Sequence, residues 1–402
     1  MIDFYRSFNF NKSKEQAKKS DGNKPIFLTG LKMSTYAGLI YDDRSKMSIF
    51  YVIFSRFWFI MGTLFFLSPA LVAEEPLGLI EYVHVVHYTT FNFGCLIMSS
   101  AFVIKSREYI SFCKLLEKEF KCSKEKLSES EDEIMTKTGR FLLKFVHRMC
   151  IVYYSASTCN FMKGPILEGT PLPYRAWVPL NVDNWPGYIV TYISEMIIPL
   201  NVVNCLNFSM ISYVIHAKQL SAQFEILSIY IKETFEYSNY SSILNREEFI
   251  KRRIKRIIER HQLLVRCMNM FQDVYNWLLF SMTITSGVLI CTNVFLVTAP
   301  NNDLAVLIEF VNLLSPEIML IFLYCWFGQQ MTDKWSEIRD AVYDINWFDE
   351  SISTRKSLLN ILTVSTKSKI VKGGGLQPFN MEGFAEILQA SFSYFNMLKA
   401  LR

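Results

Sequence analysis

Charge is scarce in this chain, and so are the residues that punctuate loops. Of its 402 residues, 20% are Asp, Glu, Lys or Arg, and there are 16 glycines and 12 prolines. That composition excludes a disordered chain, which is highly charged and poor in apolar residues, and a collagen-like repeat. No fixed-period repeat is present. No CxxC, HExxH, GxSxG or P-loop pattern occurs, so the common routes to thiol redox, zinc-hydrolase, serine-hydrolase and nucleotide chemistry are missing. The five histidines, His84, His87, His147, His216 and His261, lack metal-ligand spacing. His84 and His87 stand at i, i+3, but no carboxylate or thiol accompanies them. No enzyme activity, metal or cofactor is therefore expected. Residues 1–48 are polar and basic, with no apolar core ahead of a small-residue cleavage site, so no cleavable signal peptide is expected. The nine cysteines are an odd number, and none falls in an outer loop of the topology below. No extracellular disulfide framework is expected.

What the chain has instead is apolar surface. Hydrophobic residues make up 51% and aromatics 15%. They gather into seven stretches long enough to cross a bilayer: Ile49–Ala73, Ile80–Ile104, Phe141–Met162, Tyr188–His216, Val274–Val297, Leu304–Trp326 and Leu376–Arg402. Arg56 lies inside the first, close enough to its start to snorkel. Between the second and third lies an amphipathic segment marked by Ile110, Phe112, Leu115, Leu116 and Phe120, followed by a charged loop. The connection after the third holds five of the twelve prolines and is neither helix nor sheet core. The fourth span runs on at helical spacing through Leu220, Phe224, Leu227, Ile231 and Phe235. After a polar break at 237–245, a basic helix carrying Ile250, Ile254, Ile257, His261, Leu264, Met268 and Phe271 on one face leads into the fifth. Trp335, Ile338, Val342 and Ile345 extend the sixth. A polar linker with Gly373, Gly374 and Gly375 opens onto the last.

The basic residues orient these spans. The net charge of +5 is modest, but 35 of the 42 Lys and Arg lie in four segments: the N-terminal arm and residues 105–140, 216–272 and 328–375. By the positive-inside rule those four are cytoplasmic. Seven crossings then put the N-terminus inside and the C-terminus outside, the reverse of a G-protein-coupled receptor. With the bases placed this way, the expected surroundings are membrane lipid, and no nucleic-acid partner is expected. Sequons at Asn11, Asn207 and Asn239 lie inside or within the membrane and are expected to carry no glycan.

Two intramembrane carboxylates, Glu195 and Glu317, stand out, because a carboxylate at that depth is costly. They read either as partners of a water path or ligand, or as hydrogen-bonded packing residues. The outer halves of three spans are rich in aromatics and short polar groups. His87, Tyr88 and Phe91 share one face of the second span; Tyr154, Ser157 and Phe161 one face of the third; Tyr192 and Met196 one face of the fourth. Such walls suit a small, mostly apolar ligand, or plain helix packing with an interfacial aromatic belt. The last span has two unlike faces. Gly383, Glu386, Ala390, Ser393, Met397 and Leu401 form a small, polar stripe that ends in two bulky apolar residues. Phe384, Leu388, Phe392, Phe395 and Leu398 form a greasy face. The stripe fits either a gated pore lining or close helix packing.

The C-terminal third carries a recognisable pattern. Tyr324-Cys325-Trp326-Phe327-Gly328, Ser336, Ala341-Val342-Tyr343 and Trp347, then Ser393-Tyr394-Phe395 with Leu398, resemble the C-terminal signature of insect odorant receptors. In related gustatory receptors the last span carries a Thr-Tyr pair followed by glutamine; here the pair is Ser393-Tyr394 and no such glutamine follows. The resemblance implies an all-α, seven-span subunit of an odorant-gated, non-selective cation channel at the cell membrane, in the dendrite of an olfactory sensory neuron. It implies a tetramer shared with a co-receptor, a small odorant as ligand, and a pore lined by each subunit's last helix. It places the gate on Met397 and Leu401, with Ser393 below, and the ligand among His87, Tyr88, Phe91, Tyr154, Ser157, Phe161, Tyr192 and Met196. Met397 departs from the branched residue such a gate would carry, and Lys399 and Arg402 add positive charge near the mouth. The expected regions are a cytoplasmic arm (1–48), spans one to four with the ligand pocket (49–216), anchor helices (217–272), spans five and six (273–327), an anchor helix and linker (328–375) and the pore span (376–402). The rival readings are a gustatory-type channel, a seven-span receptor signalling through a G protein, and a secondary transporter, for which inverted repeats or broken helices would be required.

Overall fold

The computed structural model describes residues 34–35, 37–41, 46–72, 78–121, 130–163, 172, 184–238, 243–298 and 304–400. Within them the chain forms α1 (Lys46–Val72), α2 (Leu79–Ile104), α3 (Ser106–Lys121), α4 (Glu131–Lys163), α5 (Trp185–Ser238), α6 (Ile243–Val297), α7 (Leu304–Asp344), a short 3-10 turn (Trp347–Asp349), α8 (Ile352–Thr366), a hairpin of β1 (Lys372–Gly373) and β2 (Gln377–Pro378), and α9 (Met381–Ala400). By length and composition, α1, Trp185–Glu236 of α5 and Arg246–Phe295 of α6 are apolar enough to cross a membrane. The other expected spans fall in α2, α4, α7 and α9.

Three helices form the frame. α5 has 54 residues, α6 has 55 and α7 has 41, so at 1.5 Å per residue each runs roughly 60–80 Å. None breaks where the membrane would end. The apolar spacing of Leu220, Phe224, Leu227 and Ile231 simply continues α5, and all four are buried. α6 does the same from Ile250 to Phe271, and α7 from Tyr324 to Val342. One hydrophobic core therefore runs through both halves, from Phe59 to Ile361 and Ile387. α3 lies against α6, burying Phe112 and Leu116 as its amphipathic spacing requires.

α1 shows how such a helix chooses its face. Ser48, Ser55, Phe59, Gly62 and Phe66 are buried, while Phe50, Ile53, Phe57, Ile60 and Leu64 are exposed. An outer face of large apolar residues is suited to lipid. Arg56 does not snorkel. Its guanidinium donates to the carbonyls of Gly38 and Ser99, each at 2.6 Å, and so pins the segment before α1 to α2.

The linker before the last helix, expected from its composition as polar chain, contains a helix. α8 buries Thr354, Leu358, Ile361 and Ser365, spaced by four, three and four, and Ser351 caps its start by accepting from Thr354 N. Two of the four buried positions are hydroxyl residues, which is why the apolar stripe was faint. The hairpin follows. Gly374 and Gly375 adopt φ of 61° and 73°, left-handed backbone that glycine reaches without strain. Gln272 and Asn276 of α6 bond the hairpin backbone: Lys372 N donates to Gln272 Oε1 (2.9 Å) and Gly375 N to Asn276 Oδ1 (3.0 Å). That fixes the start of α9, where Asn380 Oδ1 accepts from Gly383 N (2.8 Å).

Candidate ligand cavity and pore helix

Near the ends of the bundle remote from α8 and the hairpin, a cavity of about 100 Å³ opens among five helices. Aromatics make one wall. Phe66 of α1 stacks on Tyr88 of α2 at 5.2 Å, and Phe91 lies one turn below. α4 contributes Tyr153, Ala156 and Ser157. α5 contributes Pro199, Val202, Val203 and Leu206, and α7 contributes Leu313, Pro316, Glu317 and Leu320. Pro199 and Pro316 face the same space from different helices. Each removes one rung of its helix's hydrogen-bond ladder at that level. Asn92 also lines the cavity, with its amide nitrogen donating to Phe59 O (2.6 Å) and Thr63 Oγ1 (2.9 Å). A deeper pocket of about 10 Å³ shares Phe91, Leu206 and Glu317 with the first, room for about one water.

Of the residues expected from sequence to hold a ligand, Tyr88, Phe91 and Ser157 line this cavity. His87 stands behind them, buried, stacked on Phe91 at 6.3 Å and edge-on to Tyr88 at 5.3 Å. Tyr154 does not line it; its hydroxyl donates to Asn204 Oδ1 at 2.6 Å, tying α4 to α5. The lining tyrosine is its neighbour, Tyr153, about 100° round the helix. Tyr192 stacks on Tyr188 at 6.0 Å and Met196 is exposed, so both stand clear of the cavity; α5 reaches it one to three turns later. The side chain of Phe161 lies outside the described residues. The two intrahelical prolines, Pro199 and Pro316, are the sequence signal for the α5 and α7 walls. Of the two intramembrane carboxylates, Glu195 is buried in α5, and Glu317 lines the cavity and accepts a hydrogen bond from Ser286.

α9 leans on α6 and α7 through Ile387, Leu388, Ser391 and Phe395. Glu386, Ala390, Ser393 and Met397 are exposed together, as their spacing predicts. Two residues change sides. Gly383 is buried against the carbonyl of Pro378, so it belongs to the packed face, and Phe392 is half exposed. Leu401 and the side chain of Leu398 lie outside the described residues.

Residues 78–392 match the family model "7tm Odorant receptor". The chain is 21% identical over 323 residues to Odorant receptor Or2 of Anopheles gambiae, covering 78% of this chain and 82% of that protein. It is 22% identical to Odorant receptor 13a of Drosophila melanogaster, over 63% of each. It also matches the Odorant receptor coreceptor of Anopheles gambiae, at 23% identity over 39% of this chain and 33% of that one. The solved structure of the insect olfactory receptor OR5 from Machilis hrabei in complex with eugenol shares the fold, with a TM-score of 0.77 and 15% identity over 94% of this chain and 97% of that one. A bundle of membrane-length helices, a C-terminal signature embedded in its core and a family match over most of the sequence converge: the chain is a helical membrane protein of the odorant receptor family.

Proposed function

We propose that this receptor is the ligand-binding subunit of an odorant-gated, non-selective cation channel in the cell membrane of an olfactory neuron's dendrite. It assembles with co-receptor subunits around a central pore. A small odorant enters the cavity between α1, α2, α4, α5 and α7 and favours the open arrangement of α9, since a ligand shifts gating only by binding one state better. Ser393, Met397 and Leu401 line and close the pore, and residues 217–272 and 328–375 anchor subunit to subunit. Tyr88, Phe91 and Ser157 contact the ligand, and His87 backs their wall. In this reading Phe161, Tyr192 and Met196 flank the entrance, and Tyr154 positions the wall through Asn204.

The observation that supports this most is the cavity itself. It is enclosed by aromatic and branched apolar side chains, with a few polar groups, which is the make-up of a small-molecule site. It is bounded by α7, which also packs against α9, so a change at the ligand has a short path to the pore helix. The test is odour-evoked current in cells expressing this chain with a co-receptor. Phe91→Ala is expected to shift the dose–response curve by about tenfold or more, with Met196→Ala changing it far less. Equal effects of the two, or none, would defeat the assignment.

A further inference from the structure

Glu317 gives this cavity a chemistry that its apolar walls do not explain. Its side chain is buried, and among the described residues its bonded partner is Ser286 Oγ alone, which donates to Oε1. A carboxylate offers about four acceptor positions, and one hydroxyl leaves most of them unfilled. Beside it on the cavity wall stands Tyr153, 6% exposed, whose hydroxyl is buried with no hydrogen-bond partner in the protein. Asn92 adds a carbonyl oxygen, Oδ1, that is likewise buried and unpartnered, while its nitrogen is already committed to Phe59 O and Thr63 Oγ1. Buried polar atoms left without partners are costly. Here three side chains with unfilled acceptor positions border one cavity, and the one unpartnered donor among them is the Tyr153 O–H.

We infer that the ligand of this receptor carries an N–H or O–H donor head on an apolar body, and that the head is bound by Glu317 and Tyr153. The inference rests on the cavity being the odorant site. An apolar body fits against Phe66, Tyr88 and Phe91, with the head toward α4 and α7. A ligand that only accepts hydrogen bonds is met by the Tyr153 O–H but leaves the Glu317 carboxyl and Asn92 Oδ1 unfilled, and one with no polar group leaves all three, so both bind more weakly. A hydrogen bond to a charged group contributes about 1.5–3 kcal/mol, roughly tenfold or more in affinity. Amines and alcohols share this donor chemistry, and an ammonium head, which favours the ionised form of the carboxyl it pairs with, separates them.

The test uses this chain with a co-receptor and four compounds of related skeleton: phenylethylamine, phenylethanol, acetophenone and ethylbenzene. Evoked current and ligand-induced thermal stabilisation of the purified complex are both read. At least one donor compound is expected to act at a concentration about tenfold or more below acetophenone and ethylbenzene. Tyr153→Phe is expected to shrink the ratio to ethylbenzene to roughly threefold or less. Glu317→Gln, which keeps the shape and an acceptor oxygen, is expected to abolish a preference for the amine and to retain one for the alcohol. Equal responses to all four compounds, or ratios unaltered in both variants, would overturn the inference. Stabilisation by the donor compounds without any current would instead count against the channel reading while supporting the head-group assignment.

Discussion

His261 lies where α6, α7 and α8 meet. Its ring stacks on Trp335 at 5.5 Å, and Nε2 is 3.1 Å from Ser365 Oγ. Burial pushes its pKa down to about 4 from an ordinary 6.5. Between those values the unfolded chain binds the proton and the folded one does not, so stability is full above about pH 6.5 and falls as pH drops toward 4. Thermal melting of the purified protein from about pH 7.5 to about pH 5 is expected to show a loss of roughly 1–2 kcal/mol from this residue. His261→Phe should melt with a smaller acid shift. Gly328 is a different kind of constraint. A Cβ placed there would sit 2.1 Å from the carbonyl oxygen of Phe379, a backbone atom of the segment that launches α9. Gly328→Ala is expected to cost about 1–3 kcal/mol, seen as a lower melting temperature and less receptor at the cell surface. The glycine that closes the Tyr324–Gly328 signature is thus explained by close approach.

At the scale of the element, α9 is defined by what it leaves uncovered. Ile387, Ser391 and Phe395 bind it to its own subunit, and Ser393 and Met397 point elsewhere. If copies of that open stripe ring a water path, Met397→Cys should be modified by a membrane-impermeant thiol reagent added outside during odour exposure, with loss of more than about half the current. Phe395→Cys, on the packed face, should be spared. A half-exposed position reacts where a buried one does not. The long helices act differently. Because α5, α6 and α7 run unbroken from the cavity level to α8, they can carry a shift at one end to the other as near-rigid rods.

For the whole molecule, the sidedness of the chain is the claim with the widest reach. By the positive-inside rule, the blocks of Lys and Arg at 105–140, 216–272 and 328–375 are expected in the cytoplasm. An epitope tag after Arg402 should then be labelled on intact cells and a tag before Met1 only after permeabilisation. The reverse pattern would remove the pore assignment of α9, since its outer end would face the cytosol. Treatment with glycosidase should leave the mobility of the chain unchanged, because Asn11 and Asn239 lie in segments expected to be cytoplasmic and Asn207 is buried in α5.

Periodicity was sufficient for the long helices, their continuation past the apolar stretches and the C-terminal signature, because each depends on residues near one another in sequence. The 3.6-residue repeat of Leu220, Phe224, Leu227 and Ile231 predicts one long helix whatever it packs against, and the structure has that helix. α8 was the exception, since hydroxyl residues dilute its stripe and its burial is supplied by α6 and α7. The cavity wall divides the same way. Tyr88, Phe91 and Ser157 were legible as outer-half aromatics and small polar groups. Which of Tyr153 and Tyr154 faces the cavity was not, because a rotation of about 100° is decided by the neighbouring helix, here by Asn204 accepting from Tyr154. That Glu317 shares a wall with Tyr153 and Asn92, which lie far from it in sequence, was decided by tertiary packing, with α4 and α7 both lying against α5 and α2 against α5 and α6. Local spacing determines which face of a helix is apolar, and only tertiary contact decides which faces meet.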